Sequence, residues 1–60
     1  MVKVRMRRDE LGMSQEELAA KAGVSRQTIS YLETDAKTAM STTLIRVAKA
    51  LDTTVDALLD

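Results

Sequence analysis

The chain has no cysteine, histidine, proline, phenylalanine or tryptophan. Without cysteine there is no disulfide or thiolate site to staple a small fold. Without histidine the commonest metal ligand and the usual general base are both missing. A structural metal is therefore not expected, and no cofactor is implied. Tyr31 is the single aromatic residue, so the core must come from Leu, Ile, Val, Met and Ala. No apolar run approaches the ~18 residues that suggest a membrane span. The opening MVKVRMRRDE is charged and has no apolar stretch of the kind a secretory signal carries. The lack of cysteine fits a reducing cytoplasm, the expected location.

The 60 residues make one domain, residues 1–60. A domain this small buries only about 60% of the surface its unfolded chain exposes. Close helix packing, with or without a second subunit, has to supply its stability. The nine basic and nine acidic residues cancel to a net charge of zero, which by itself argues against a nucleic-acid partner. Their distribution is uneven. Lys3, Arg5, Arg7 and Arg8 crowd the start, and Asp52, Asp56 and Asp60 close the chain with no base among them. A charge-separated surface can present a positive face, but ordinary solvated faces look the same in composition.

Abundant Ala, Leu, Glu, Lys, Arg and Met predict helix throughout. Five helical segments can be placed. The first runs from Val2 to Leu11, with Val4 and Leu11 on one face and Gly12 closing it. The second starts at Ser14-Gln15-Glu16-Glu17, a capping box with Met13 and Leu18 as its hydrophobic staple. Leu18, Ala19 and Ala22 form its buried stripe, and Gly23 ends it. The third is capped by Ser25 and runs to Glu33. The tight, glycine-containing turn between the second and third makes a helix-turn-helix candidate. After a polar loop, Thr34–Ala39, the fourth is expected to be capped by Ser41, with Met40 stapled to Ile45. Leu44, Val47, Ala48 and Leu51 form its apolar stripe. The fifth follows Thr54 as cap, with Asp56 in its first turn and Val55, Leu58 and Leu59 as its apolar residues.

The third helix carries the functional argument. At about 100° per residue, Ser25, Thr28, Ile29 and Leu32 share one side. Arg26, Gln27, Ser30, Tyr31 and Thr34 share the other. Ile29 and Leu32 must face the core, so the second set faces outward. It contains donors and acceptors but no acid, since Glu33 lies at its edge. Arg26 matches guanine O6 and N7, and Gln27 matches adenine N6 and N7. Both lie in the first turn, the part of a recognition helix that usually meets the bases. Ser30 reaches several bases, and Tyr31 suits a thymine methyl or a phosphate. The same residues would also make a solvated face with no ligand.

The run GMSQEELAAKAGVSRQTISYLE resembles the helix-turn-helix core of the lambda-repressor-like, Cro/CI-type (XRE) DNA-binding family, and LIRVAKALDTTVDALL resembles its fourth and fifth helices. The resemblance spans nearly the whole chain. It implies an all-α, five-helix domain that binds double-stranded DNA and regulates transcription, most often as a repressor. It implies that Gln15 anchors a phosphate, that Arg26, Gln27 and Tyr31, with Ser30 beside them, read bases, and that Arg8 pairs with Glu33. A phosphate contact within the basic cluster is the other reading of Arg8. The loop after the third helix would lie along the DNA backbone, through Thr34, Lys37, Thr38 and Thr42. The resemblance also implies a homodimer on half-sites about 34 Å apart, with Val55 and Leu59 at the interface unless they simply close the core. Three departures stand out. Thr34-Asp35 replaces the family's Asn-Gly, which puts Asp35 where a left-handed glycine suits better. Ala39 replaces a proline, and Asp52 replaces the glycine that closes the fourth helix. The loop keeps one cation, Lys37, so modest non-specific affinity and a shallow salt dependence are expected.

Two other classes of function compete. A protein-interaction module on the same fold, such as a co-activator bridge or an antitoxin-like binder, suits the zero net charge and the acidic end. An enzyme does not suit the chain. Glu16 and Glu17 point ~100° apart, there is no nucleophile–base pair or phosphate-cradling glycine loop, and the core is too small for a substrate cavity.

Overall fold

Each helix in this chain begins or ends where a side chain or a left-handed residue satisfies its unpaired backbone groups. The computed structural model describes residues 2–35 and 40–59. It contains α1 (Val2–Glu10), α2 (Gln15–Ala22), α3 (Arg26–Asp35), α4 (Ser41–Ala50) and α5 (Val55–Leu58). No strand occurs among the described residues, and no helix there is long and apolar enough to cross a membrane.

The starts of α2, α3 and α5 follow from local sequence. The Glu17 N–H donates to Ser14 Oγ and the Ser14 N–H to Glu17 Oε1, both at 3.1 Å, completing the capping box. The Thr28 N–H donates to Ser25 Oγ, and the Ala57 N–H to Thr54 Oγ1, each at 3.2 Å. The start of α4 differs from expectation. Met40 sits at the N-cap with no side-chain cap bond, and Ser41 is already inside the helix. The expected Met40–Ile45 staple is not a buried contact, because both side chains are exposed.

The ends follow a different logic. Gly12 and Gly23 take φ of 66° and 71°, and the next amides, Met13 and Val24, reach back to the carbonyls of Arg8 and Ala19. After α4 the same turn is made without glycine. Asp52 has φ 54°, the Thr53 N–H donates to the Ala48 carbonyl at 2.9 Å, and the Asp52 N–H to that of Lys49 at 3.0 Å. Arg7 reinforces this turn from α1, its Nε donating to the Leu51 carbonyl at 3.0 Å. Asp35, where a left-handed residue was expected, is instead the last residue of α3. The backbone strain of the departures from glycine therefore falls on Asp52. Replacing Asp52 with glycine is expected to stabilise the domain by roughly 1 kcal/mol. In a domain of this size that raises Tm by about 4–8 °C, measurable by thermal denaturation. An unchanged or lower Tm would show that the turn carries no strain.

Packing joins the helices into a ring: α1 packs on α3 and α5, α2 on α3 and α4, and α4 on α5. Val4, Leu18, Ile29, Leu32, Val47 and Leu51 are fully buried at its centre, with Leu58 almost so. Burying each such side chain contributes about 1.5–3 kcal/mol. Leu11 does not join them. It lies in the turn after α1 and is 42% exposed, because the helix ends one residue before it. Val55 packs against the core at partial burial, whereas Leu59 is 45% exposed.

Candidate nucleic-acid interface

Two buried residues set the rotation of α3. With Ile29 and Leu32 fully buried, Arg26, Gln27, Tyr31 and Thr34 are exposed and Ser30 is half-buried. The first turn of α3 has no acid. Among the described residues the side chains of Arg26 and Gln27 have no hydrogen-bond or ion partner, so one amide and one guanidinium are open to a ligand at the start of the helix. Thr34 is less available. Its hydroxyl donates to the Ser30 carbonyl of its own helix at 2.9 Å, a back-bond typical of helical threonine. A phosphate would have to displace that bond. Thr42 is exposed in the first turn of α4, while Lys37 and Thr38 lie outside the described residues.

Beside this face stands a polar node that ties three helices together. Arg8 on α1 forks onto Glu33 on α3, with Nε to Oε2 at 2.7 Å and Nη2 to Oε1 at 3.2 Å. Its remaining nitrogen donates to the Met13 carbonyl at 2.7 Å. The Gln15 amide, on α2, donates to Glu33 Oε1 at 3.1 Å. The side chains of Arg8 and Glu33 are only 13% and 4% exposed. Among the described residues no buried side-chain polar atom lacks a partner. Arg8 is thus occupied inside the protein and is not free for a phosphate.

Burial alone would raise the Glu33 pKa. The hydrogen bonds from Arg8 and Gln15, with the Arg8 charge, outweigh it and hold the carboxyl below its usual value. The same pairing raises Arg8, which keeps it charged throughout the accessible range. A carboxyl whose folded pKa is depressed contributes stability that is complete above the unfolded value, about 4.3. That stability is lost as pH falls through the lower folded value. A carboxyl ¹³C titration is therefore expected to place the Glu33 midpoint below about 4.3, with thermal stability falling in the same acidic window. A midpoint at or above that value would mean the pair does not favour the ionised form.

Three of the four bases at the start of the chain, Arg5, Arg7 and Arg8, have partners within the protein. Arg5 lies 3.9 Å and Arg8 3.5 Å from Asp9, and Arg7 caps α4. Sequence reasoning missed where base without a partner among the described residues does collect. Lys21, Arg46 and Lys49 line a shallow recess of about 350 Å³ between α2 and α4, floored by Ala22 and Ala50. Arg46 and Lys49 are three apart on one helix, a legible pair, but only the α2–α4 packing brings Lys21 to them. Lys21 and Lys49 occupy the last turns of their helices, where a cation offsets the helix dipole.

A second recess, of about 430 Å³, lies between α1 and α5 and is bordered by Lys3, Met6, Glu10, Thr53 and Ala57. Met6 on α1 and Leu59, the residue after α5, are exposed apolar side chains.

A family model described as helix-turn-helix matches residues 4–58. A curated relative from Methanothermobacter thermautotrophicus is named "Uncharacterized HTH-type transcriptional regulator". It is 51% identical over 51 residues, covering 80% of this chain and 70% of its own length. No solved structure matches the chain.

Proposed function

This chain belongs to the helix-turn-helix family, and from that premise we propose that it is a sequence-specific, double-stranded-DNA-binding repressor that places α3 in the major groove. One observation carries the reading: Arg26, Gln27 and Tyr31 stand exposed, opposite fully buried Ile29 and Leu32. The major groove is about 12 Å wide and admits a helix. In this docking Arg26 and Gln27 read base edges, with Ser30 and Tyr31 behind them along the groove. Gln15 and Thr42 receive phosphates at the starts of α2 and α4, and Lys37, Thr38 and Thr34 follow the backbone between them. The relative's printed name, a transcriptional regulator, supports the regulatory part of this reading.

Selection of bound sites from a random duplex library tests the proposal. An enriched motif with two-fold symmetry is the expected result. No duplex bound at micromolar protein and low salt would overturn it.

The two-fold arrangement rests on a homodimer. Met6 is exposed on the border of the α1–α5 recess, Leu59 is exposed just past the end of α5, and Val55 is partly buried against the core at the start of α5. Leu59→Asp is expected to shift the protein toward monomer in sedimentation and to weaken binding to a paired site far more than to a single half-site. Equal sedimentation of the variant and the parent protein would remove this surface from the interface.

A further inference from the structure

We propose that Glu33 is a positioning residue for the DNA backbone contact, orienting the Gln15 amide so that a donor stands ready at the start of α2. This rests on the DNA-binding reading above and adds to it the group that sets the phosphate anchor.

The argument begins with the carboxylate. An ionised carboxylate only accepts hydrogen bonds. The Gln15 amide, whose nitrogen lies 3.1 Å from Glu33 Oε1, therefore has to present N–H inward. Turned by half a rotation it would set its carbonyl oxygen against the carboxylate. Glu33 cannot yield to it, because the Arg8 fork holds both carboxylate oxygens from α1 and the side chain is almost fully enclosed. One amide hydrogen of Gln15 is thus committed, the second remains for a ligand, and the orientation of the amide is fixed before any ligand arrives. Gln15 is the first residue of α2. Its backbone N–H and that of Glu16 have no acceptor among the described residues: the capping box engages the N–H groups of Ser14 and Glu17, and the Leu18 N–H donates to the Ser14 carbonyl. The second amide hydrogen and these two backbone N–H groups make a donor set matched to one phosphate. Holding a long side chain in place beforehand removes an ordering cost from binding.

The first test needs no variant. Relaxation of the side-chain NH₂ groups in the unbound protein is expected to show Gln15 ordered nearly as the backbone, with an order parameter of about 0.85. Gln27, whose side chain has no partner among the described residues, is expected below about 0.6. Gln15 as mobile as Gln27 would overturn the proposal. The second test is a cycle of Glu33→Asp and Gln15→Met on a selected DNA site, with each protein verified as folded by thermal melting. Glu33→Asp keeps the charge but withdraws the carboxylate by one methylene. It is expected to lower affinity about three- to tenfold, the equivalent of re-ordering one long side chain. In the Gln15→Met background it is expected to have no further effect. Equal losses in both backgrounds would overturn the positioning role. Absence of DNA binding by the parent protein would instead overturn the DNA-binding reading and leave the order measurement standing.

Discussion

Arg8→Ala is expected to leave most of the chain unfolded at 25 °C, with the helical far-UV circular dichroism lost. The substitution strands the Glu33 carboxylate, 4% exposed, with the Gln15 amide as its remaining hydrogen bond. Removing one partner of a buried pair costs about 3–5 kcal/mol. A single core in a domain below about 70 residues rarely supplies more than that in total. Glu33→Ala is expected to be milder. The guanidinium it leaves behind is less enclosed, keeps its bond to the Met13 carbonyl and retains Asp9 at 3.5 Å. Replacing both partners together, Arg8→Met with Glu33→Leu, removes the stranded charge and should recover much of the loss. A Tm for Arg8→Ala within a few degrees of the parent protein would show that the pair does not hold the helices together.

Arg26→Ala and Gln27→Ala are each expected to weaken binding to the selected DNA site by ~1–3 kcal/mol, or about 5- to 150-fold. Each should also relax discrimination at one base position. Both side chains are exposed, and without a partner among the described residues, in the first turn of α3, so removing either is expected to leave the fold intact and to subtract only what it contributes to the ligand. Thermal melts of the two variants should therefore match the parent within the ±0.5 kcal/mol usual for surface changes. Titrations on the selected site and on single-base variants of it measure the effect. If both variants bind the selected site as tightly as the parent, these residues do not read bases.

Much of the fold was legible because its determinants are local. The Ser14–Glu17 box, the Ser25 and Thr54 caps and the glycine turns each act within five residues, and the helical period places Ile29 and Leu32 without knowledge of the rest. The misses have physical causes. Ser41, Thr42 and Thr43 are three consecutive hydroxyl residues, any of which suits a cap. The chain enters α4 one residue earlier, with Met40 in the cap position. Leu11 fits the α1 stripe by spacing, but the helix has already ended there. The site was legible in part. The outward face of α3 follows from periodicity, whereas the Arg8–Glu33 pair, 25 residues apart, was expected only through the family resemblance. The bond from Gln15 to the same carboxylate, the Arg7 cap on α4 and the gathering of Lys21 with Arg46 and Lys49 depend on how helices distant in sequence meet. No local pattern encodes them.

The ring in which α1 closes onto α5 leaves the molecule no free end from which to unzip. Each helix leans on two others, so detaching any one bares the core on both sides of the gap. Slow amide hydrogens in α1 and in α4 should then exchange through the same event, the opening of the whole domain. For a DNA reader this means that α3 is offered either in its finished setting or not at all.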